Sequence, residues 1–307
     1  MSARALLAGL SAVALAGCQA AGTPTPQSVA ANAWPARDWT AACTDHDEWD
    51  APGPPFRIHG NTYYVGTCGI SAMLITGDEG HVLIDGGTEA GGPLIAANVE
   101  RLGFAMDDVK ILLLSHEHFD HAGGLAHLQQ LSAARLLVSP PAARTMATGT
   151  ASPEDPQALT LDPFTPAKVA GTIDDGETVT LGALSITGLA TPGHSPGATS
   201  WTWRSCARPD AGEDCRQIAY LDSLSAVSAQ SYRFSAHPEL VARFRTSLDK
   251  VAQIPCDIVL TPHPTASAMP VRIAEPAGLV DQTGCARYAK TMHDRLDERL
   301  AGEDATS

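Results

Sequence analysis

The feature that most constrains this chain is a dense group of metal-binding residue types directly after a strand-like run. The apolar run 109–114 has the length of a strand buried on both faces, and the next seven residues read Ser-His-Glu-His-Phe-Asp-His. His116 and His118 are two positions apart, so extended backbone directs both side chains to the same side. Asp120 and His121 follow where the chain turns into a helix. One short stretch can therefore contact two neighbouring metal ions.

Two further histidines follow later strand-like runs, in loops stiffened by proline and glycine. His194 lies in Thr-Pro-Gly-His-Ser-Pro-Gly (191–197), and His263 lies in Thr-Pro-His-Pro (261–264). A single histidine of this kind is more often an ordinary surface or core residue, but here the loops add to a cluster. Imidazole and carboxylate suit Zn²⁺, and three protein ligands leave a coordination position open for water. Because α/β sheets gather their sites at strand ends, we predict a zinc centre there.

The order of strand-like and helix-like runs predicts a layered α/β fold. The strand-like runs are residues 62–65, 71–76, 81–85, 109–114, 185–189, 199–203, 217–221 and 257–261. The helix-like runs are residues 92–102, 122–131 and 238–251, with a C-terminal helix that carries apolar residues from Cys285 to Leu300. Residues 41–302 are expected to form a single domain.

The start of the chain predicts export. Residues 1–17 combine Arg4 with a short apolar run, as in a signal peptide, and the run is too short to span a bilayer. It ends Leu-Ala-Gly-Cys, which resembles the lipobox of bacterial lipoproteins, where the cysteine (here Cys18) carries the lipid. Simple cleavage near small residues is the alternative. Residues 19–40, rich in Ala, Pro and Thr, predict a flexible tether, and the expected location is the periplasm, with or without a lipid anchor.

The cysteines and the charge narrow the function classes. Seven cysteines occur, and without Cys18 an even set of six remains, which predicts three disulfides in an exported chain. The residues alone leave the pairing open, although Cys206 and Cys215 bracket a short polar loop and make the easiest pair. The formal net charge is −14. A surface this acidic repels phosphate backbones, which argues against a nucleic-acid partner.

The motif His-x-His-x-Asp-His, followed by Pro-Gly-His and later Pro-His, resembles the metallo-β-lactamase superfamily. The resemblance covers roughly residues 47–300 and includes Tyr-Val-Gly at 64–66 and Leu-Ile-Asp-Gly at 83–86. It implies an αββα sandwich with two Zn²⁺ ions per chain at one rim of the two sheets. The implied ligands of one ion are His116, His118 and His194, and those of the other are Asp120, His121 and His263.

The segment Ala-Tyr-Leu-Asp-Ser-Leu-Ser at 219–225 resembles the third subclass of metallo-β-lactamases, which has serines there. The match to the exported AIM-type enzymes of that subclass extends to Thr-Cys-Gly-Ile-Ser at 67–71 and Trp-Arg-Ser-Cys at 203–206. The resemblance implies that Ser223 and Ser225 orient a substrate carboxylate and that Asp120 orients the nucleophile. It also implies the disulfide pairs Cys43–Cys68, Cys206–Cys215 and Cys256–Cys285.

The predicted function is a zinc-dependent β-lactamase that acts as a monomer. It would open the β-lactam amide of antibiotics, carbapenems included, with a metal-bound hydroxide and so confer resistance. The rival enzyme is a lactone or thioester hydrolase in which Asp222 bridges the metals. The two serines beside Asp222 favour a place outside the metal ligands instead. A zinc-binding lipoprotein without activity is the non-enzymatic alternative.

A second motif, Ser-Leu-Asp-Lys at 247–250, formally matches the Ser-x-x-Lys of serine β-lactamases. It falls near the end of an amphipathic helix, whereas a nucleophilic serine needs an exposed position. The companion motifs Ser-Asp-Asn and Lys-Thr-Gly are absent from the sequence. The match is interpreted as chance.

Overall fold

A computed structural model describes residues 35–208, 213–275 and 278–305 of the 307-residue chain. The predicted signal peptide, Cys18 and most of the predicted tether lie outside the described residues. None of the described helices is both long and apolar enough to cross a membrane.

The described strands form two sheets, one of seven strands and one of five. The first contains, in spatial order, β1 (Phe56–His59), β2 (Thr62–Tyr64), β3 (Met73–Gly77), β4 (Gly80–Ile84), β5 (Val109–Leu113), β6 (Arg135–Val138) and β7 (Val169–Thr172). The second contains β8 (Thr178–Leu181), β9 (Leu184–Ala190), β10 (Thr199–Arg208), β11 (Glu213–Tyr220) and β12 (Ile258–Leu260), each beside the next. Pairing is antiparallel from β1 to β4 and parallel from β4 to β7, while β11 and β12 are parallel.

Most of the described helices pack on the outer faces of the two sheets. The α-helices are α1 (Ala36–Ala42), α2 (Gly91–Arg101), α3 (Phe119–Ala122), α4 (Leu125–Ser132), α5 (Ala142–Thr148), α6 (Pro238–Ala252), α7 (Met269–Ile273) and α8 (Gly284–Asp304). Short 3-10 helices occupy Met106–Asp108, Phe234–Ala236 and Pro264–Ser267.

Strand β5 is buried on both faces because its side chains alternate between two cores. Leu112, and Leu114 just after the strand, lie in the core that also holds residues of α2 and α4. Ile111 and Leu113 lie between the sheets, in a core shared with Trp201 of β10. Strands with helices on one side and a sheet on the other read as nearly continuous apolar runs, which is the pattern at 109–114 apart from the exposed Lys110.

A third core lies on the far face of the second sheet. It combines Leu221, just after β11, and Val259 of β12 with Phe244 and Leu248 of α6 and Met292 of α8. The three cores separate four layers in the order helices, sheet, sheet, helices. The predicted αββα sandwich is confirmed.

The predicted strands are all present, with ends shifted by a few residues. The predicted helix 122–131 is instead two helices, α3 and α4, interrupted at Gly123 and Gly124. A Cβ on Gly124 would lie 2.1 Å from the Gly86 carbonyl oxygen, so the backbones touch there. Strands β1, β6, β7 and β8 have no counterpart in the prediction, and each is only four residues long.

The predicted tether is wrong over its last residues. Residues 36–42 form α1, whose Trp39 is fully buried beside Phe56 and Tyr64. Composition alone reads this segment as polar linker, but one aromatic side chain supplies enough apolar surface to dock a short helix.

Three disulfides hold the chain, and they join the pairs that the resemblance implies. Cys43 bonds to Cys68, Cys206 to Cys215, and Cys256 to Cys285. The first ties α1 to the loop after β2, and the third ties the start of α8 to the residues before β12. Each stabilises the fold by about 2–4 kcal/mol, mainly by restricting the unfolded chain.

Candidate metal centre

Loops after four strands converge at one place. The segment 115–121 follows β5, His194 follows β9, the segment 222–225 follows β11, and His263 follows β12. These are the strand ends at which the sequence predicts a metal centre. The structure brings all six predicted ligand residues, and both serines, to this convergence.

The first metal group consists of His116, His118 and His194. One ring nitrogen from each lies within 4.8 Å of the others, and all three residues are buried. Their ring centroids are 4.6 to 4.9 Å apart. Such spacing fits three nitrogens around one ion.

Outer contacts decide which ring nitrogen of each histidine is left for a metal. The Nε2 of His118 lies 2.9 Å from Asp155 Oδ2, and the Nδ1 of His194 lies 2.9 Å from the Ser225 carbonyl oxygen. Both oxygens only accept hydrogen bonds, so these nitrogens carry the proton and donate. The Nδ1 of His118 and the Nε2 of His194 therefore keep their lone pairs.

His116 completes this arrangement. Its Nδ1 lies 2.8 Å from Asp222 Oδ1, while its buried Nε2 has no hydrogen-bond partner among the described residues. A buried, unpaired ring nitrogen is costly without a ligand. The donor set of the first metal group therefore fits a divalent metal such as Zn²⁺, which takes neutral imidazole nitrogens.

The second metal group contains two of the three predicted ligands, Asp120 and His121, together with His116. Ligand atoms of His116, Asp120 and His121 lie within 4.8 Å of one another, so His116 belongs to both groups. The predicted third ligand, His263, is adjacent: its Nε2 lies 3.3 Å from Asp120 Oδ2, and its ring centroid lies 5.0 Å from that of His121. The Asp120 Oδ2 also lies 3.0 Å from His121 Nε2.

The charges of these side chains suit metal binding. Burial disfavours a charged carboxylate, but His121 and His263 outweigh it and hold the pKa of Asp120 well below its usual range. Burial, together with neighbouring histidines, holds the pKa values of His116 and His194 well below theirs. Asp120 is therefore anionic and these two rings are neutral, the forms that coordinate metals.

Glu117, between the first two histidines, fixes the loop that carries His194. Its carboxylate accepts hydrogen bonds from Ser195 Oγ and from the Gly197 backbone N–H, both at 2.8 Å. A Cβ on Gly197 would lie 2.6 Å from Glu117 Oε2, so a larger residue at this position would clash with the carboxylate. The sequence predicts no role for Glu117, because its partners are about 80 residues away.

A buried carboxylate behind the centre holds the strand that precedes the histidines. Asp85 accepts hydrogen bonds from the Ser115 backbone N–H, the Ser115 hydroxyl and the Tyr220 hydroxyl, each at 2.7 Å. Burial raises the pKa of Asp85 to about 6. The Asp85 backbone has φ of 67°, a left-handed conformation that the three hydrogen bonds offset. Asp85 thereby fixes the point at which the metal segment leaves β5.

Asp222 is fully buried and contributes to neither metal group among the described residues. Its contact with His116 favours a supporting place over a bridging one. Tyr288 fixes the same loop by donating hydrogen bonds to the carbonyl oxygens of Asp222 and Ser223, at 2.9 and 2.5 Å.

The two predicted substrate serines have different surroundings. The Ser223 Oγ is buried and has no hydrogen-bond partner within the described ranges. The Ser225 Oγ lies 3.1 Å from His194 Nδ1, and its backbone carbonyl contacts the same nitrogen. Ser225 therefore supports a metal ligand as well as facing the site.

An aromatic wall flanks the second metal group. The Trp49 ring centroid lies 5.6 Å from that of His263 and 5.8 Å from that of Phe119. The sequence predicts no role for Trp49, which lies in a segment of alternating acidic residues.

The Ser-x-x-Lys match at 247–250 is not a site. Ser247 is buried in α6 and its hydroxyl donates a hydrogen bond to the Pro192 carbonyl oxygen at 2.8 Å. Lys250 donates to both oxygens of Asp175 and to the Ala190 carbonyl oxygen. The side chains of Ser247 and Lys250 are thus engaged in hydrogen bonds that hold the loop before His194.

Sequence comparisons connect the chain to known proteins over its central part. The model of the metallo-beta-lactamase superfamily matches residues 65–206. A hydroxyacylglutathione hydrolase of Rhodopseudomonas palustris (strain BisB5) is 26% identical over 168 residues, or 55% of this chain. The chain spans about half of that relative's length, 51%.

Solved structures extend the similarity to nearly the whole described chain. MIM-2 metallo-beta-lactamase is 52% identical, with 88% of this chain and 99% of that one covered and a TM-score of 0.83. MIM-1 from Novosphingobium pentaromativorans is 45% identical, with 88% and 99% covered and a TM-score of 0.84. MEM-A1, a subclass B3 metallo-beta-lactamase from a soil metagenome library, is 41% identical, with 85% and 100% covered and a TM-score of 0.79.

Proposed function

Since this chain belongs to the metallo-β-lactamase superfamily, we propose that it is a zinc-dependent β-lactamase that hydrolyses the amide of β-lactam antibiotics. The observation that carries the proposal is the convergence of two metal groups with the loop 222–225, which contacts His194 and carries both serines. The similarity to solved enzymes that are named metallo-β-lactamases covers nearly the full length of those enzymes. Activity of this kind would confer antibiotic resistance, and carbapenems are included among the expected substrates.

Two Zn²⁺ ions per chain are part of the proposal. His116, His118 and His194 would hold one, and Asp120, His121 and His263 the other. Zn²⁺ supplies a Lewis acid for a carbonyl oxygen and lowers the pKa of water from ~15.7 towards ~7.

The chain's own residues orient the reactants. Asp120 remains anionic beside His121 and His263, so its carboxylate can accept a hydrogen bond from the attacking water and direct its lone pair at the lactam carbon. Cleavage of the C–N bond leaves an amine nitrogen that takes up a proton, and the carbonyl carbon becomes a carboxylate. No protein atom is acylated.

The serines bind the substrate's carboxylate. Ser223 Oγ, buried and without a described partner, would donate a hydrogen bond to it, and Ser225 lies beside His194 at the same edge. A hydrogen bond to a charged group contributes about 1.5–3 kcal/mol in such a place. The serines therefore orient the ring for attack rather than take part in bond cleavage.

A lactone or thioester hydrolase is the second candidate function. It is favoured by the position of Asp222, which is fully buried beside the first metal group with its Oδ1 2.8 Å from His116 Nδ1. The 26% identity to a hydroxyacylglutathione hydrolase points the same way over part of the chain. The contact of Asp222 with a histidine nitrogen, rather than membership of a metal group, makes this the weaker candidate.

Hydrolysis of a carbapenem and of a cephalosporin, followed by ultraviolet absorbance, tests the proposal. Turnover that a chelator abolishes and added zinc restores is the expected result. A thioester and a lactone are assayed in parallel at the same zinc loading. Turnover of these with none of either β-lactam, by folded zinc-loaded protein, would transfer the assignment to the second candidate.

The location of the protein is proposed on two grounds. The N-terminal sequence has the features of a lipoprotein signal, and three disulfides are typical of an oxidising compartment such as the periplasm. Mass analysis of the N-terminus of the mature protein, with Cys18→Ala as control, tests whether lipid is attached. We propose that the enzyme acts as a monomer.

A further inference from the structure

One carboxylate outside the predicted ligands links a metal group to a loop at the site. Asp155 is 3% exposed, and its two oxygens have different partners. Its Oδ2 lies 2.9 Å from His118 Nε2, and its Oδ1 accepts a hydrogen bond from the Gln157 backbone N–H at 2.7 Å. The carboxylate therefore joins a histidine after β5 to the loop in which Asp155 itself lies.

That loop, residues 149–168 between α5 and β7, is also joined to the segment after the substrate serines. The Ala229 backbone N–H donates a hydrogen bond to the Pro156 carbonyl oxygen at 2.9 Å. Asp155 and Pro156 are adjacent, so the metal histidine and the segment that follows Ser225 are attached to neighbouring positions of one loop.

His118 depends on Asp155 for the position of its proton. The other carboxylates near His118 have other partners. Glu117 accepts hydrogen bonds from Ser195 and Gly197, and Asp120 contacts His121 and His263. Because Asp155 Oδ2 only accepts, it holds the proton on Nε2 and leaves the Nδ1 lone pair directed at the first metal group.

We propose that Asp155 is a positioning residue that fixes His118 in its metal-binding tautomer and couples the loop 149–168 to the affinity of the first metal group. The inference rests on the proposed metal centre and extends it to a residue that contacts neither metal nor the reacting atoms. Partners of this kind change metal affinity by about 10–100-fold when they are removed.

Asp155→Asn is the decisive variant. His118 Nε2 and the Gln157 N–H contact different oxygens of Asp155. The amide of Asn has an oxygen at only one of these two positions and an NH2 group, which cannot accept, at the other, so one of the two hydrogen bonds is lost whichever way the amide turns. Zinc affinity of the first group, measured by competition with a chromophoric chelator, is expected to fall about 10–100-fold, with activity recovered in excess zinc. Glu154→Gln is the control, since it makes the same charge change at an exposed neighbour and is expected to match the wild type.

Coupling through His118 has its own readout. In a His118→Ala background, Asp155→Asn is expected to have no further effect on zinc affinity, because the partner is gone. An equal loss in both backgrounds would show that Asp155 acts elsewhere and would overturn the proposal. So would wild-type zinc affinity in Asp155→Asn itself.

The unmutated, zinc-loaded protein gives a test that needs no variant to fold. Long-range proton–nitrogen NMR of the histidine rings is expected to show His118 protonated at Nε2 and not at Nδ1. The opposite tautomer would contradict the inference while leaving the proposed activity intact. Zinc binding with the expected tautomer, but no hydrolysis of any β-lactam, would reject the proposed function and leave the role of Asp155 standing.

Discussion

The two metal groups are built differently, although they share His116. In the first, every histidine contacts an oxygen on its far side: Asp222, Asp155 or the Ser225 carbonyl. In the second, the members mainly contact one another through Asp120 Oδ2. The nearest outer carboxylate, Asp85, lies 3.9 Å from His121 Nδ1, beyond hydrogen-bond distance, and the side chain of His263 is 29% exposed. A ring held from behind keeps its metal-facing nitrogen in place without the metal, so the first group is preorganised and the second is assembled more loosely.

Replacing the shared histidine should have the largest effect. His116→Ala removes a proposed ligand of the first group, one ring nitrogen of which also lies within 4.8 Å of the ligand atoms of Asp120 and His121 in the second. Zinc content is expected to fall at both positions, and kcat/KM at least about 10³-fold, since metal-ion stabilisation supplies several kcal/mol. Zinc per chain after dialysis and kcat/KM on one β-lactam are the measurements.

His127→Ala is the matched control, because this histidine lies in α4, outside both groups. If His116→Ala retained one zinc with full occupancy, His116 would not be needed for both metal groups.

Replacing the exposed histidine should separate the groups. His263→Ala is expected to empty the second group and leave zinc in the first, because no outer contact of His116, His118 or His194 involves His263. Activity should drop about 10–100-fold, less than for His116→Ala. Stepwise zinc titration followed by calorimetry reports the two affinities. Unchanged zinc and activity would remove His263 from the site, and loss of both ions would contradict the difference between the groups.

The smallest effects should come from the serines, and they should differ in kind. Ser223→Ala removes a hydroxyl without a described partner, so KM is expected to rise about tenfold at unchanged zinc affinity. Ser225→Ala removes a hydroxyl 3.1 Å from His194 Nδ1 but keeps the carbonyl contact, so zinc affinity should weaken a few-fold as well. Side-by-side measurement of zinc affinity and KM for the two variants tests whether the two serines differ in this way. Identical profiles would mean that the Ser225 hydroxyl does not support His194.

Particular residues mark how far the sequence could predict the site. The ligand set follows from spacing on a strand and from rigid loops after strands, which are local properties of the chain. The partners of these ligands are not local: Asp155 lies 37 positions from His118, and Ser225 lies 31 positions from His194. An aspartate in a Pro-rich loop looks like any turn residue, and a backbone carbonyl has no sequence signature at all.

The sequence by itself determined the layered fold, the metal chemistry and the residues that supply it, because each depends on periodicity or spacing within a short stretch. Only the tertiary structure decided that a ligand atom of His116 lies near both metal groups, which ring nitrogens have outer partners, and that Trp39 docks a helix where a tether is predicted. Those properties depend on which atoms from distant segments meet in a buried space. There an unpaired polar atom is costly, and a single oxygen on one side of a ring decides where its proton resides.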